Sequence, residues 1–246
     1  MTQLIWLDDT TPFPHPDNAH PEGLLAAGGG LSVSRLTEAY SKGIFPWFND
    51  GEPVLWWSPD PRMVLACADF KVSHSLAKKL RQVGRNEGLA DARIRITTNT
   101  AFAQVIAACA GLRTTQPGTW ISPAIQSAYL AWHHAGSAHS IETWIDGQLM
   151  GGLYGINLGR FFFGESMFSR ASDASKLALA YLVKFLQAQG IQHIDCQQQT
   201  GHLASLGAQP ISRSDFLAVL ERALQEKKPV WGSGQILQSG ELAPIG

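Results

Sequence analysis

The sequence predicts a mixed α/β fold of the α+β kind, in which helices flank one mixed sheet with an antiparallel meander in its middle. Three observations carry this. Strand patterns at His139–Ile145, Gln148–Asn157 and Arg160–Gly164 follow one another with no helix between them. Asp146-Gly147 joins the first two, and Asp-Gly is a strong signal for a two-residue hairpin. A long helical pattern over 173–189 then leads into Ile191–Gln197, which reads as a buried strand.

The elements follow in order. The first sixty residues are rich in Pro and Gly and hold one short helix, opened by Ser32 or Ser34 and stopped at Gly43. Gly28-Gly29-Gly30 reads as a flexible turn, because a phosphate loop needs a Lys-Ser/Thr and a preceding strand. Arg62 to Cys67 reads as a strand. Ser73 caps a helix ended by Gly84, with Lys78, Lys79 and Arg81 on its polar face. Arg93 to Thr98 alternates as a half-buried strand, and Asn99 is the expected cap of a helix reaching Ala110. Ser122-Pro123 opens another helix, closed by Gly136. Ser212 with Asp215 forms a capping pair for a last helix over about Arg213–Gln225. The tail after Lys228 reads as a loosely packed extension.

Composition excludes several classes. No run of 18 apolar residues exists, so no membrane-spanning helix is expected. The start, MTQLIWLDD, has neither a basic region nor an apolar signal core, which predicts a cytoplasmic protein. Cys67, Cys109 and Cys196 form no CxxC and leave an odd one, arguing against disulfides and a zinc site. The eight His lack metal-ligand spacing, so no metal is expected. Net charge is only −1, but it is unevenly placed. Residues 1–60 hold two basic and eight acidic side chains, whereas residues 71–95 hold seven basic and two acidic ones. Such a stripe is either a solvated helix face or a phosphate footprint.

Two stretches concentrate rigid aromatics: Gly43-Ile44-Phe45-Pro46-Trp47-Phe48 and Trp56-Trp57-Ser58-Pro59-Asp60-Pro61-Arg62. Proline keeps these rings on non-helical backbone, where they form either a stacking wall for a base or a hydrophobic plug. Further blocks follow in order: Gly118-Thr119-Trp120-Ile121, Ala138-His139-Ser140-Ile141-Glu142, Gly164-Glu165-Ser166-Met167-Phe168-Ser169-Arg170 and Ile194-Asp195-Cys196-Gln197. Together, from about Phe13 to about Phe216, the chain resembles the leucyl/phenylalanyl-tRNA–protein transferase family.

The resemblance implies a small N-terminal domain, residues 1–61, on a catalytic domain of the N-acetyltransferase type, residues 62–246. It implies transfer of Leu or Phe from aminoacyl-tRNA to the α-amine of proteins beginning with Arg or Lys, marking them for N-end-rule degradation. The ester is already activated, so no cofactor is required. By the same resemblance Leu153, Phe162, Leu182 and Ile194 line the donor side-chain pocket, where the family usually has Met and Phe at two positions. Trp47 and Trp120 stack on the terminal adenosine, with Tyr40 and Tyr129 as further contacts. Glu165, Asp195 and Gln197 form the catalytic group. Asp195 is expected to orient the amine and Gln197, two residues on and on the same strand face, to place it and relay its proton. Backbone amides of a 163–166 turn are candidate oxyanion donors. Lys78, Lys79, Arg81 and Arg85 would track tRNA phosphates.

Ser166, Ser169 and Cys196 have no activating His beside them, which argues against a covalent intermediate. Two other readings stay open on the residues alone. An acyl-CoA N-acyltransferase would need a Gly-rich pyrophosphate loop, and residues 164–174 hold one glycine. A non-catalytic tRNA-binding module would need only the Trp wall and the basic helix.

Overall fold

A computed structural model describes residues 4–89, 91–111 and 120–244. The N-terminal part runs β1 (Ile5–Leu7), β2 (Leu24–Gly28), α1 (Val33–Ser41), β3 (Phe45–Pro46) and β4 (Leu55–Trp57). There follow β5 (Arg62–Ala66), α2 (His74–Asn86), β6 (Ile94–Thr98), α3 (Phe102–Ala110), α4 (Pro123–His134), β7 (Ala138–Ile145) and β8 (Gln148–Leu158). Then come β9 (Phe161–Ser169), α5 (Ala174–Ala188), β10 (His193–Gln197), α6 (Gly201–Ser205), β11 (Gln209–Ile211), α7 (Arg213–Leu224), β12 (Gly234–Ile236) and β13 (Leu242–Ala243).

Four helix starts follow from one rule. Ser32, Ser73, Ser122 and Ser212 each accept a hydrogen bond from the backbone N–H three residues on, satisfying a donor the helix leaves free. Asn99 departs from it. It lies at φ 56°, outside the helix, and its side chain accepts the Ser140 N–H instead. Ala101 therefore stands as the α3 N-cap with no side-chain hydrogen bond. The α2 helix runs through Gly84 to Asn86 rather than stopping there. A Cβ on Gly84 would run into the side-chain amide of Gln238 from the tail, which would have to swing aside.

The large sheet has the order β11-β5-β10-β9-β8-β7-β6-β12-β13. Its centre is the expected meander, with Asp146 and Gly147 both at positive φ in the hairpin turn. Among the described pairings of this sheet, β9 with β10 alone is parallel. That pairing ends at Ile194↔Phe162 and Asp195↔Phe163. Beyond it β9 continues antiparallel with β8 as far as Ser169, while β10 bulges between Asp195 and Gln197. The two strands part there, and the gap opens the cavity described below. The 163–166 segment expected as a turn is thus a strand edge: β9 is longer than its apolar pattern because Gly164–Ser169 faces a cleft.

The small sheet, β1-β2-β4-β3, holds the rigid aromatics. Strand β2 leads into the glycine run, which the residue pattern alone read as a turn with no strand before it. Trp56 is fully buried and its indole N–H donates to the Gly28 carbonyl, so this ring is a plug. Trp57 donates to the Trp47 carbonyl and packs edge-on against its ring at 5.5 Å. One apolar cluster runs from Trp56 and Tyr40 through α3, α4 and Phe163 to Phe216 of α7. A second, on the other face, gathers α2, α5, Ile194 and Ile236. The tail joins that cluster. β12 pairs with β6, and Trp231 stacks on His139 at 4.1 Å and donates to Thr98. It is a sheet edge, not the loose extension its composition suggests.

Candidate functional site

A cavity of about 730 Å³ opens where β9 and β10 separate. Its floor is apolar. Leu153, Phe162, Leu182 and Ile194 all line it and are all nearly fully buried. Alternation brings them together, since Phe162 and Ile194 are cross-strand partners and Leu153 lies one strand beyond, on β8. Leu65, Met167 and Leu179 line it too and were not singled out from the sequence. Leu179 lies one helical turn before Leu182, a spacing that would have found it.

Trp47 and Trp120 stand on the cavity wall. Trp47 is 39% exposed and Trp120 half-buried. Residues 112–119, which include Gly118 and Thr119 of the block that holds Trp120, lie outside the described residues.

Tyr40 and Tyr129 are not on this wall, which corrects their expected contact with the base. Both are buried, at 1% and 0% exposure, and neither lines the cavity. Their rings sit in the α1–α4 packing, edge-on to Trp132. Their hydroxyls lie 2.5 Å apart; Tyr40 donates to Glu165 Oε1 at 2.7 Å and the Tyr129 oxygen stands 3.3 Å from Oε2, so two hydroxyl protons serve two of the three contacts at once and the third needs a proton on the carboxyl itself. They clamp the carboxyl group from behind.

Glu165 does line the cavity. The Gln197 side-chain amide donates to its Oε1 at 3.1 Å. Burial pushes the Glu165 pKa up to about 7, against the hydrogen bond from Tyr40; the charge of Asp195 raises it further. Among the described residues it is the one carboxylate on the cavity lining.

Asp195 is the second correction. It is fully buried and off the cavity. Arg62 holds it in a two-pronged pair, Nε to Oδ1 at 2.9 Å and Nη2 to Oδ2 at 2.7 Å. The guanidinium is itself sandwiched by Phe45 and Phe216 and donates to the Gly43 carbonyl. A carboxylate in this interior must be paired, and the Arg lies 133 positions away in sequence. The expected common face of Asp195 and Gln197 is also lost. Gln197 has φ 61° at the bulge, which turns its side chain into the cavity. Asp195 still acts on it, because its Oδ1 accepts the Gln197 backbone N–H at 2.8 Å. Cys196 lines the cavity as well, and burial, with Asp195 beside it, raises its thiol to about 12, far from a thiolate at neutral pH.

The basic helix is divided. Lys78, Arg81 and Arg85 share an exposed face of α2. Lys79 does not join them, since its ammonium pairs with Asp173 at 2.6 Å and donates to the Ser172 carbonyl. Among the described residues no helix is long and apolar enough to cross a membrane, and no group of His, Cys, Asp and Glu is placed to hold a metal ion.

The family described as leucyl/phenylalanyl-tRNA protein transferase matches residues 64–221, and the N-terminal domain of that family matches residues 29–60. A leucyl/phenylalanyl-tRNA–protein transferase of Bordetella avium is 60% identical over 98% of this chain and 97% of its own. One from Chromobacterium violaceum is 55% identical over 92% and 94%. Among solved structures, a GCN5-related N-acetyltransferase from Kribbella flavida overlaps 75% of this chain and 62% of its own at 11% identity, with a TM-score of 0.36. A superposition that loose decides nothing about the site.

Proposed function

The chain belongs to the leucyl/phenylalanyl-tRNA–protein transferase family, and from that premise we propose how its cavity performs an aminoacyl transfer. A Leu or Phe esterified to the 3′-adenosine of a tRNA enters with its side chain on the Leu153, Phe162, Leu182 and Ile194 floor. The adenine stacks on Trp47 and Trp120, worth about 1–3 kcal/mol per base. The acceptor is the α-amine of a protein beginning with Arg or Lys, and its new apolar N-terminus marks it for N-end-rule degradation in the cytoplasm. The observation that carries this reading is Glu165, joined to Gln197, on the lining of a cavity walled by two Trp and floored by apolar side chains.

The chemistry follows from the geometry. The amine nitrogen attacks the ester carbonyl carbon, the carbon–oxygen bond to the ribose breaks, and the 3′-hydroxyl leaves with a proton. An α-amine titrates near 8, so roughly a tenth is already neutral at pH 7. Glu165, with a pKa of about 7, is matched to take the proton released on attack and return it to the departing oxygen. Gln197 places the amine, and its Oε1 is the acceptor left once Nε2 serves Glu165. Arg62 and Asp195 are positioning residues, fixing the bulge that aims Gln197. Peptide groups on the β9 edge beyond Phe163, where β10 no longer pairs, supply donors for the oxyanion. Asp195 is neutralised by Arg62, which leaves Glu165 to attract the cationic acceptor.

The test is direct. Labelled Phe-tRNA is mixed with the protein and with peptides beginning Arg, Lys or Ala. Label should enter the first two. Label in none, or equally in all three, refutes the assignment. Glu165→Gln should lower kcat/KM by about 10²- to 10⁴-fold, the usual share of a general base.

A further inference from the structure

A second groove of about 630 Å³ lies on the α3 side of the large sheet, outside the donor cavity. Arg93, Arg95, Thr97 and Trp144 line it, and Asp91 and Asp146 are among its other lining residues. The strand registers fix its direction. Arg95 is the cross-strand partner of Trp144, and Trp144 of Leu149. On the next strand, the Arg170 N–H donates to the Met150 carbonyl and its guanidinium to the Leu149 carbonyl at 3.3 Å. Arg95, Trp144 and Arg170 thus stand in one row across β6, β7, β8 and the end of β9. Three inter-strand steps make that row about 14 Å long. At its near end the Arg170 guanidinium lies 5.3 Å over the ring of Phe168, and Phe168 lines the donor cavity. In the middle the indole of Trp144 is held at a fixed angle, because its N–H donates to Thr97 Oγ1 at 2.7 Å.

We propose that this groove, continued along the row to Arg170 outside its lining, binds the unpaired nucleotides immediately 5′ of the aminoacylated adenosine, with Trp144 stacking on a base and Arg170 and Arg95 carrying the phosphates on either side. The proposal rests on the donor reading above. An adenosine seated between Trp47 and Trp120 is still joined to its chain through a phosphodiester, so the strand must leave past the cavity rim. Along this face the row supplies cation, ring, cation in turn, the composition of single-strand grooves. The ring has a use for a base and none for a carboxylate, which favours a nucleic-acid strand over an acidic peptide. Asp146, at the far end, is occupied by an exposed ion pair with Arg93 at 3.1 Å, a contact worth little and easily exchanged.

Three donors of increasing length separate the possibilities: Phe esterified to adenosine, to the trinucleotide CCA, and to full tRNA, each with one Arg-initial peptide. Trp144→Leu should raise KM about 5- to 100-fold for the trinucleotide and the tRNA, the loss of one stacked base, and leave the aminoacyl-adenosine unchanged. Arg95→Gln, a milder change that keeps the Trp144 packing, should reduce the slope of log KM against log salt by about 0.7 for the same two donors. A KM that rises equally for the adenosine ester, or for no donor, or for the peptide instead, overturns the groove while transfer itself stands. A wild-type protein that transfers from none of the three overturns the donor reading and the groove with it.

Discussion

Glu165 shows how one buried carboxyl links stability to chemistry. Its native pKa of about 7 lies above the ordinary 4.5, so the folded protein holds this proton more tightly than the unfolded chain does. The stability this gives is complete below about pH 4.5 and is lost as pH rises through 7, about 3 kcal/mol in all. Glu165→Gln keeps the shape and removes the titration. The gap in melting temperature between this variant and the wild type should therefore widen in favour of the variant from pH 5 to pH 8; a constant gap shows that Glu165 carries no such shift. Arg62 and Asp195 make the converse case. Arg62→Met strands a buried carboxylate and should cost about 3–5 kcal/mol in denaturant unfolding. Adding Asp195→Leu removes the stranded charge and should restore most of that loss. Transfer should stay slow in the double variant, because the Gln197 N–H has lost its acceptor. Activity that returns with stability assigns the pair to folding alone.

Elements were legible where the physics is local. The Ser caps, the Asp146-Gly147 turn and the apolar alternation of the meander each depend on neighbours within a few residues, and each stands where the sequence places it. The small sheet was not legible, because its strands of two to five residues are defined by partners far along the chain rather than by a pattern of their own. The β10 bulge was hidden for a different reason. Its positive φ falls on Gln197, and no glycine or asparagine announces it. That one bend separates Asp195 from Gln197 and puts only the second of them on the cavity lining. The four residues that the family resemblance singled out, Leu153, Phe162, Leu182 and Ile194, do line one cavity, and strand alternation with the inward face of α5 is what brings them together. Leu182 on α5 is one of its lining residues. Leu182→Phe should shorten the pocket and cut kcat/KM for Phe-tRNA about tenfold relative to Leu-tRNA, within what a few methylenes of apolar fit can decide. An unchanged Leu-to-Phe ratio removes Leu182 from donor selection.

At the scale of the whole molecule the tail and the donor pocket are one packing unit. Nothing in the local pattern after Lys228 shows this, since Trp231 and the glycines around it form no helical or alternating run. Yet β12 closes the sheet beside β6, and Trp231 touches three groups at once. It stacks on His139, lies 4.7 Å from Phe185 and 5.6 Å from Phe162 on the cavity floor. Burial lowers the His139 pKa to about 3, so the stacked imidazole is neutral at working pH and adds no charge to this corner. Removing the indole leaves Phe162 supported on one side fewer, in a core packed too closely to refill the gap without moving. Trp231→Ala should therefore cost about 3 kcal/mol of unfolding free energy and lower kcat/KM for both donors, through a floor that no longer holds its shape. Trp231→Phe keeps a stacking ring without the hydrogen bond to Thr98 and should recover most of the transfer rate. Full activity in the alanine variant, despite a lower melting temperature, would separate the tail from the pocket and leave β12 and β13 as the sheet's margin alone.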